Sequence, residues 1–227
     1  MTPVRVVVID SGVHAAHPHV NGVAGGAGID TDGHEHGDYV DRLGHGTAVT
    51  AVIREKAPEA SIFAVKVFDR ELAATGTALV AACDWAMRHG ADIVNLSLGT
   101  VNADHEAALE AVVNRLRDAG AVVVAAGPQA GSRWLPGALA GVWSVVLDWS
   151  LERDECHANV DTEGRVTVRA GGYPRPIPGV PPENNLKGLS FAVANTTGVL
   201  AALLANEQGS GTPIETLLRA ISRGEAR

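Results

Sequence analysis

Three polar residues stand at the ends of apolar runs, where a folded chain can present them to a ligand. Asp10 closes "VVVIDSG", His45 lies between two glycines in "LGHGT", and Ser190 opens the small-residue run "LSFAVANTTG". Each alone has an ordinary explanation: a turn-forming carboxylate, a structural histidine, a serine helix cap. In the order Asp, His, Ser they match one of the chain orders in which a nucleophilic triad is assembled. The chemistry is a division of labour. A serine hydroxyl is a weak nucleophile until an imidazole takes its proton, and a carboxylate fixes the imidazole's tautomer and stabilises its charge.

The elements that must hold these residues alternate along the chain. Val4–Ile9, Ile62–Val67, Ile93–Leu98, Ala121–Ala125 and Val142–Leu147 are short continuous apolar runs, as buried strands are. Between them His45–Glu55, Thr77–His89 and His105–Ala119 space their apolar residues three and four apart, as amphipathic helices do. That alternation predicts an α/β fold: a three-layer, doubly wound, mostly parallel sheet with helices on both faces. After residue 150, "ERDECHANVDTEGRVTVRAGG" is expected to form polar loop and hairpin, with Cys156 in the loop. "YPRPIPGVPPENN" is too rich in proline for regular structure. Leu189–Ala205 is expected to be a buried helix, and "TPIE" a capping box starting a last one at Thr212. No repeat or linker divides the chain, so residues 1–227 are expected to form a single domain, with no visible signal peptide or prodomain.

Five segments, in this order, resemble the subtilisin-like serine proteases (subtilases, peptidase family S8). They are "VVVIDSGVHAAHP", "GHGTAV", "KAPEASIFAVKVF", "WAMRHGADIVNLSLG" and "GLSFAVANTTG". The resemblance implies a serine endopeptidase working through an acyl-enzyme, with Asp10 as orienter, His45 as base and Ser190 as nucleophile. It also implies that Ser97, Leu98 and Gly99 on one side, and Ala125, Ala126 and Gly127 on the other, flank an extended peptide.

The chain departs from the family where "VVVAAGPQAGS" breaks. The family's strand ends Ala-Ala-Gly-Asn, and the Asn side chain donates to the oxyanion; here Pro128 stands in its place. Loss of such a donor costs about 100- to 1000-fold in turnover. Gln129 carries the same amide one residue on, and with the Ser190 backbone N–H it is the expected oxyanion hole. The rival readings are a donor from elsewhere serving a slow, dedicated enzyme, and an inactive peptide-binding module. Leu189 and Ala194 also replace family residues around the serine. A pocket reshaped to disfavour water would favour acyl transfer to an amine, a transpeptidase variant.

Composition narrows the partners. A formal charge of −8 without a basic arm argues against nucleic acid. No apolar run long enough to span a bilayer is evident, so no membrane association is expected. Two cysteines are too few for a disulfide framework, and a cytoplasmic protein with reduced thiols is expected. The segment 30–41 crowds Asp30, Asp32, His34, Glu35, His36, Asp38 and Asp41 together. Such groups suit zinc or calcium, but no full ligand spacing is met, and a solvated loop is expected. An acidic loop beside the site would also favour basic substrates. No metal or cofactor is expected. The substrate is expected to be a restricted peptide or protein, such as a precursor peptide.

Overall fold

The computed structural model describes residues 2–128 and 131–207. One nine-stranded sheet organises them: β1 (Arg5–Asp10), β2 (Gly25–Ile29), β3 (Glu35–His36), β4 (Ser61–Lys66), β5 (Ile93–Leu96), β6 (Val122–Ala126), β7 (Val142–Leu147), β8 (Cys156–Val160) and β9 (Val166–Ala170). The strand order is β3-β2-β4-β1-β5-β6-β7-β9-β8, and every pairing is parallel except β2–β3 and β8–β9 at the two edges. Buried parallel strands need cover on both faces. Helices α1 (His45–Lys56) and α4 (Leu189–Glu207) cover one face, and α2 (Gly76–Arg88) and α3 (Glu106–Asp118) the other.

The period-two alternation of β1 divides the core. Val6 and Val8 pack with Val49, Val52 and Ile53 of α1 and Val193 and Leu200 of α4. Val7 and Ile9 pack with Leu79 of α2 and Leu109, Val112 and Leu116 of α3. β1 is also where the chain changes direction across the sheet, since β4 and β2 lie on one side of it and β5 and β6 on the other. The carboxyl ends of strands at such a switch point form a crevice with no crossover connection above it, where ligands bind. Asp10 is the last residue of β1.

Within the described residues, the five expected strands and four expected helices are present with their ends within two residues. β5 stops at Leu96 rather than Leu98, so Ser97–Gly99 leaves the ladder. Three readings are corrected, and one strand was not expected. The segment 30–41 is not all loop, because Glu35 and His36 pair with β2 as an edge strand. β2 itself, "GGAGI", has too little β-propensity to be expected. Cys156 is buried as the first residue of β8, its side chain in the core beside α4. Finally, Leu189–Asn206 is long and apolar enough to cross a bilayer by length and composition, with a mean hydropathy of 1.4; here 61% of it is buried under the sheet. The capping box at Thr212 lies outside the described residues.

Candidate active site

At the carboxyl edge of the sheet Asp10 contacts His45, and Ser190 lines the same cleft as His45. Asp10 is fully buried at the tip of β1; its Oδ1 accepts from the Ser11 N–H (2.7 Å) and faces His45 Nδ1 at 2.7 Å. His45 is the first residue of α1, and its partial burial turns Nδ1 inward and leaves Nε2 for the cleft. The first turn of α1 sits directly on β1 because residue 46 is glycine. A Cβ there would overlap the Gly12 carbonyl oxygen and come within 3.2 Å of the Asp10 carboxylate. Burial pulls the His45 imidazole down, but the Asp10 hydrogen bond and the charges of Asp10 and Asp41 outweigh it. The net shift is upward from histidine's ordinary value.

Ser190 is the second residue of α4, in the turn whose N–H groups have no intrahelical acceptor. Its Oγ donates to the Ser97 carbonyl oxygen at 3.3 Å, and the Ser97 hydroxyl donates back to the Ser190 carbonyl at 3.1 Å. His45 and Ser190 line one cleft of about 310 Å³ with Ser97, Leu98, Gly99 and Trp134.

The other expected site residues divide. Ser97–Gly99 line the cleft, whereas Ala125, Ala126 and Gly127 are buried and do not. The Gly127 N–H is spent on the Val145 carbonyl at 2.8 Å. Pro128 is exposed, and Gln129 lies outside the described residues. Ala194 is fully buried in the core and Leu189 packs against the same core, so neither lines the cleft. That removes the observation on which an acyl-transfer variant rested. The acidic segment does not face the cleft either. Asp38 and Asp69 lie in a neighbouring recess, paired with Arg42 and Lys66, and no Asp, Glu, Lys or Arg is among the described residues that line the cleft. Asp30, Asp32 and His34 bring their ligand atoms within 4.8 Å of one another. All three are exposed, and Asp30 Oδ1 accepts from the Asp32 and His34 N–H groups as a turn former does.

Some positioning residues carry no motif of their own. Asp41 Oδ1 accepts from the Ser11 hydroxyl and the Leu43 and Gly44 N–H groups, and its Oδ2 from the Thr47 N–H and hydroxyl. It caps α1 from three residues before Gly44, a task for which Gly44 has no side chain. The Ser11 Oγ in turn accepts from the Gly46 N–H. On the serine side, Thr197 donates to Asn95, Asn95 donates to the Ser97 hydroxyl, and Ser97 donates to the Ser190 carbonyl. The signal for Asp41 was there to use: an acidic residue shortly before a helix start.

Comparison with known proteins shows the family. The family model described as the subtilase family matches residues 2–146. The chain belongs to the subtilase family of serine-type endopeptidases. Thermitase of Thermoactinomyces vulgaris is 31% identical over 94% of this chain and 79% of its own. Subtilisin DY of Bacillus licheniformis is 29% identical over 89% of this chain and 77% of its own. With subtilisin E of Bacillus subtilis the identity is 36%, over 57% of this chain and 35% of the relative. Among solved structures, the prenylagaramide maturation protease PagA superposes with a TM-score of 0.68 over 92% of this chain and 78% of its own, at 24% identity. That likeness is one of fold.

Proposed function

We propose that this subtilase hydrolyses a restricted peptide or protein substrate through an acyl-enzyme on Ser190. The observation that carries the reading is the 2.7 Å contact of His45 Nδ1 with the buried Asp10 carboxylate, in the cleft that Ser190 lines. With Nδ1–H committed to Asp10, Nε2 is the unprotonated nitrogen facing the serine. Rotation of the Ser190 side chain off the Ser97 carbonyl brings Oγ toward Nε2. Oγ then attacks the substrate carbonyl carbon as its proton passes to Nε2. The tetrahedral oxyanion is held by the Ser190 N–H at the positive end of α4. Collapse breaks the C–N bond, the leaving amine takes the proton from Nε2, and water repeats the sequence to free the acid.

Gln129 is proposed as the side-chain donor to the oxyanion in place of the residue that Pro128 replaces. A restricted substrate is proposed because PagA, alike in fold, is titled a maturation protease. The cytoplasm is proposed as its compartment. Two cysteines, Cys83 and Cys156, both free and buried, give no disulfide framework of the kind secreted proteins carry.

A fluorophosphonate that phosphonylates active serines tests the reading. Labelling of the wild type and none of Ser190→Ala is expected; equal labelling of both, or none of either in folded protein, contradicts it. With a peptide substrate, Gln129→Ala is expected to lower kcat by about tenfold or more. A change of less than about threefold removes Gln129 from the oxyanion hole.

A further inference from the structure

The expected peptide channel has two strand edges, and only one is open. Ser97–Gly99 line the cleft, while Ala125–Gly127 lie buried behind the segment 131–137. That segment is strapped to the end of β5, because the Thr100 N–H donates to the Leu135 carbonyl and the Leu135 N–H to the Thr100 carbonyl, each at 2.8 Å. It is pressed just as closely on β6, since a Cβ on Gly137 would overlap the Ala126 carbonyl oxygen. Trp134 projects from this strap. Its indole edge lies on Gly99, where a Cβ would overlap Nε1 and Cδ1, and the residue packs against the core that α1 and α4 cover. The indole also lines the cleft with Ser190 and His45. Its Nε1 is buried without an acceptor, so shape rather than a hydrogen bond holds the ring.

An extended peptide laid on Ser97–Gly99 points alternate side chains to opposite sides. Taken on the Gly99 side, the residue whose carbonyl reaches Ser190 Oγ meets the recess between the ends of β5 and β6. The indole stands there. We propose that Trp134 determines specificity by filling this recess. The protein then cleaves after Gly, Ala or Ser and rejects aromatic and long aliphatic residues at that position. The inference rests on the peptidase reading of the same cleft and adds to it the class of residue cut.

Two measurements separate the inference from the reading beneath it. Fluorophosphonate labelling of Ser190 does not depend on a peptide side chain and reports a working site. Peptides that differ only in the residue on the amino side of the scissile bond report the recess. The wild type is expected to cleave the Ala peptide with kcat/KM at least about tenfold above the Phe peptide. Trp134→Gly is expected to move the Phe-to-Ala ratio toward Phe by at least about tenfold, and Trp134→Leu to move it less and in the same direction. Equal cleavage of the two peptides by the wild type overturns the proposal. So does an unchanged ratio in either variant that still labels at Ser190. If the wild type does not label, the peptidase reading falls and this inference falls with it.

Discussion

Asp41 acts on His45 in two ways at once. Its two oxygens hold the first turn of α1 in place, and its charge adds to that of Asp10 in keeping the imidazole basic. Asp41→Asn removes the charge and leaves an amide facing several of the same donors. The base then titrates closer to histidine's ordinary value, so the acid limb of kcat/KM is expected to move to lower pH. The unmet hydrogen bonds are expected to cost about 1–3 kcal/mol of stability. A pH profile with an unmoved limb and a lower plateau would reduce Asp41 to a structural cap. At this scale the sequence was legible where residue types announce their chemistry, as Asp10, His45 and Ser190 do. It was not legible for Trp134 or Asn95, whose importance comes from what they touch across the fold and not from their neighbours in the chain.

The elements that aim these residues are α1 and α4, packed side by side on one face of the sheet. α4 has no charged residue before Glu207, its Asn195, Thr196 and Thr197 are buried and hydrogen-bonded, and it carries Ser190 at its amino end. Leu200, fully buried on α4, holds the helix in the core well away from the site. Leu200→Ala is expected to destabilise the fold by about 2–5 kcal/mol through the cavity it leaves. Labelling of the surviving folded protein at Ser190 is expected to persist. Lost labelling in folded protein would mean that α4 shifts as a rigid lever. The strands that sequence periodicity showed were those built from Val, Ile and Leu. β2 escaped because its glycines serve close approach: a Cβ on Gly28 would overlap the His36 ring and the Asp38 carbonyl. Those contacts do not exist until the sheet forms. The same applies to Ala125–Gly127, whose apolar run was clear but whose cover by the segment 131–137 depends on a bridge between Thr100 and Leu135.

In the whole molecule, charge and pH pull stability and activity apart. The raised His45 value means that the protonated imidazole binds Asp10 more favourably in the folded state than water does in the unfolded one. That stabilisation is fully present below the unfolded histidine value and is lost as pH rises through the folded one. Catalysis needs the neutral imidazole, so activity grows over the range in which this contribution fades. Metal plays no part in this account, since the carboxylates nearest to forming a site, Asp30 and Asp32, are exposed turn residues. A chelator is therefore expected to leave Tm unchanged within about a degree, whereas a loss equivalent to 1 kcal/mol or more would lower it by about 2–4 °C. A marked drop would point to a bound cation. The most direct test of the central claim is the rate at which a fluorophosphonate labels Ser190 as a function of pH. The account predicts a rate that rises about tenfold per pH unit and levels off through one ionisation above histidine's ordinary value, with no labelling in Ser190→Ala. A rate independent of pH from 5 to 9, or labelling that survives Ser190→Ala, would contradict it.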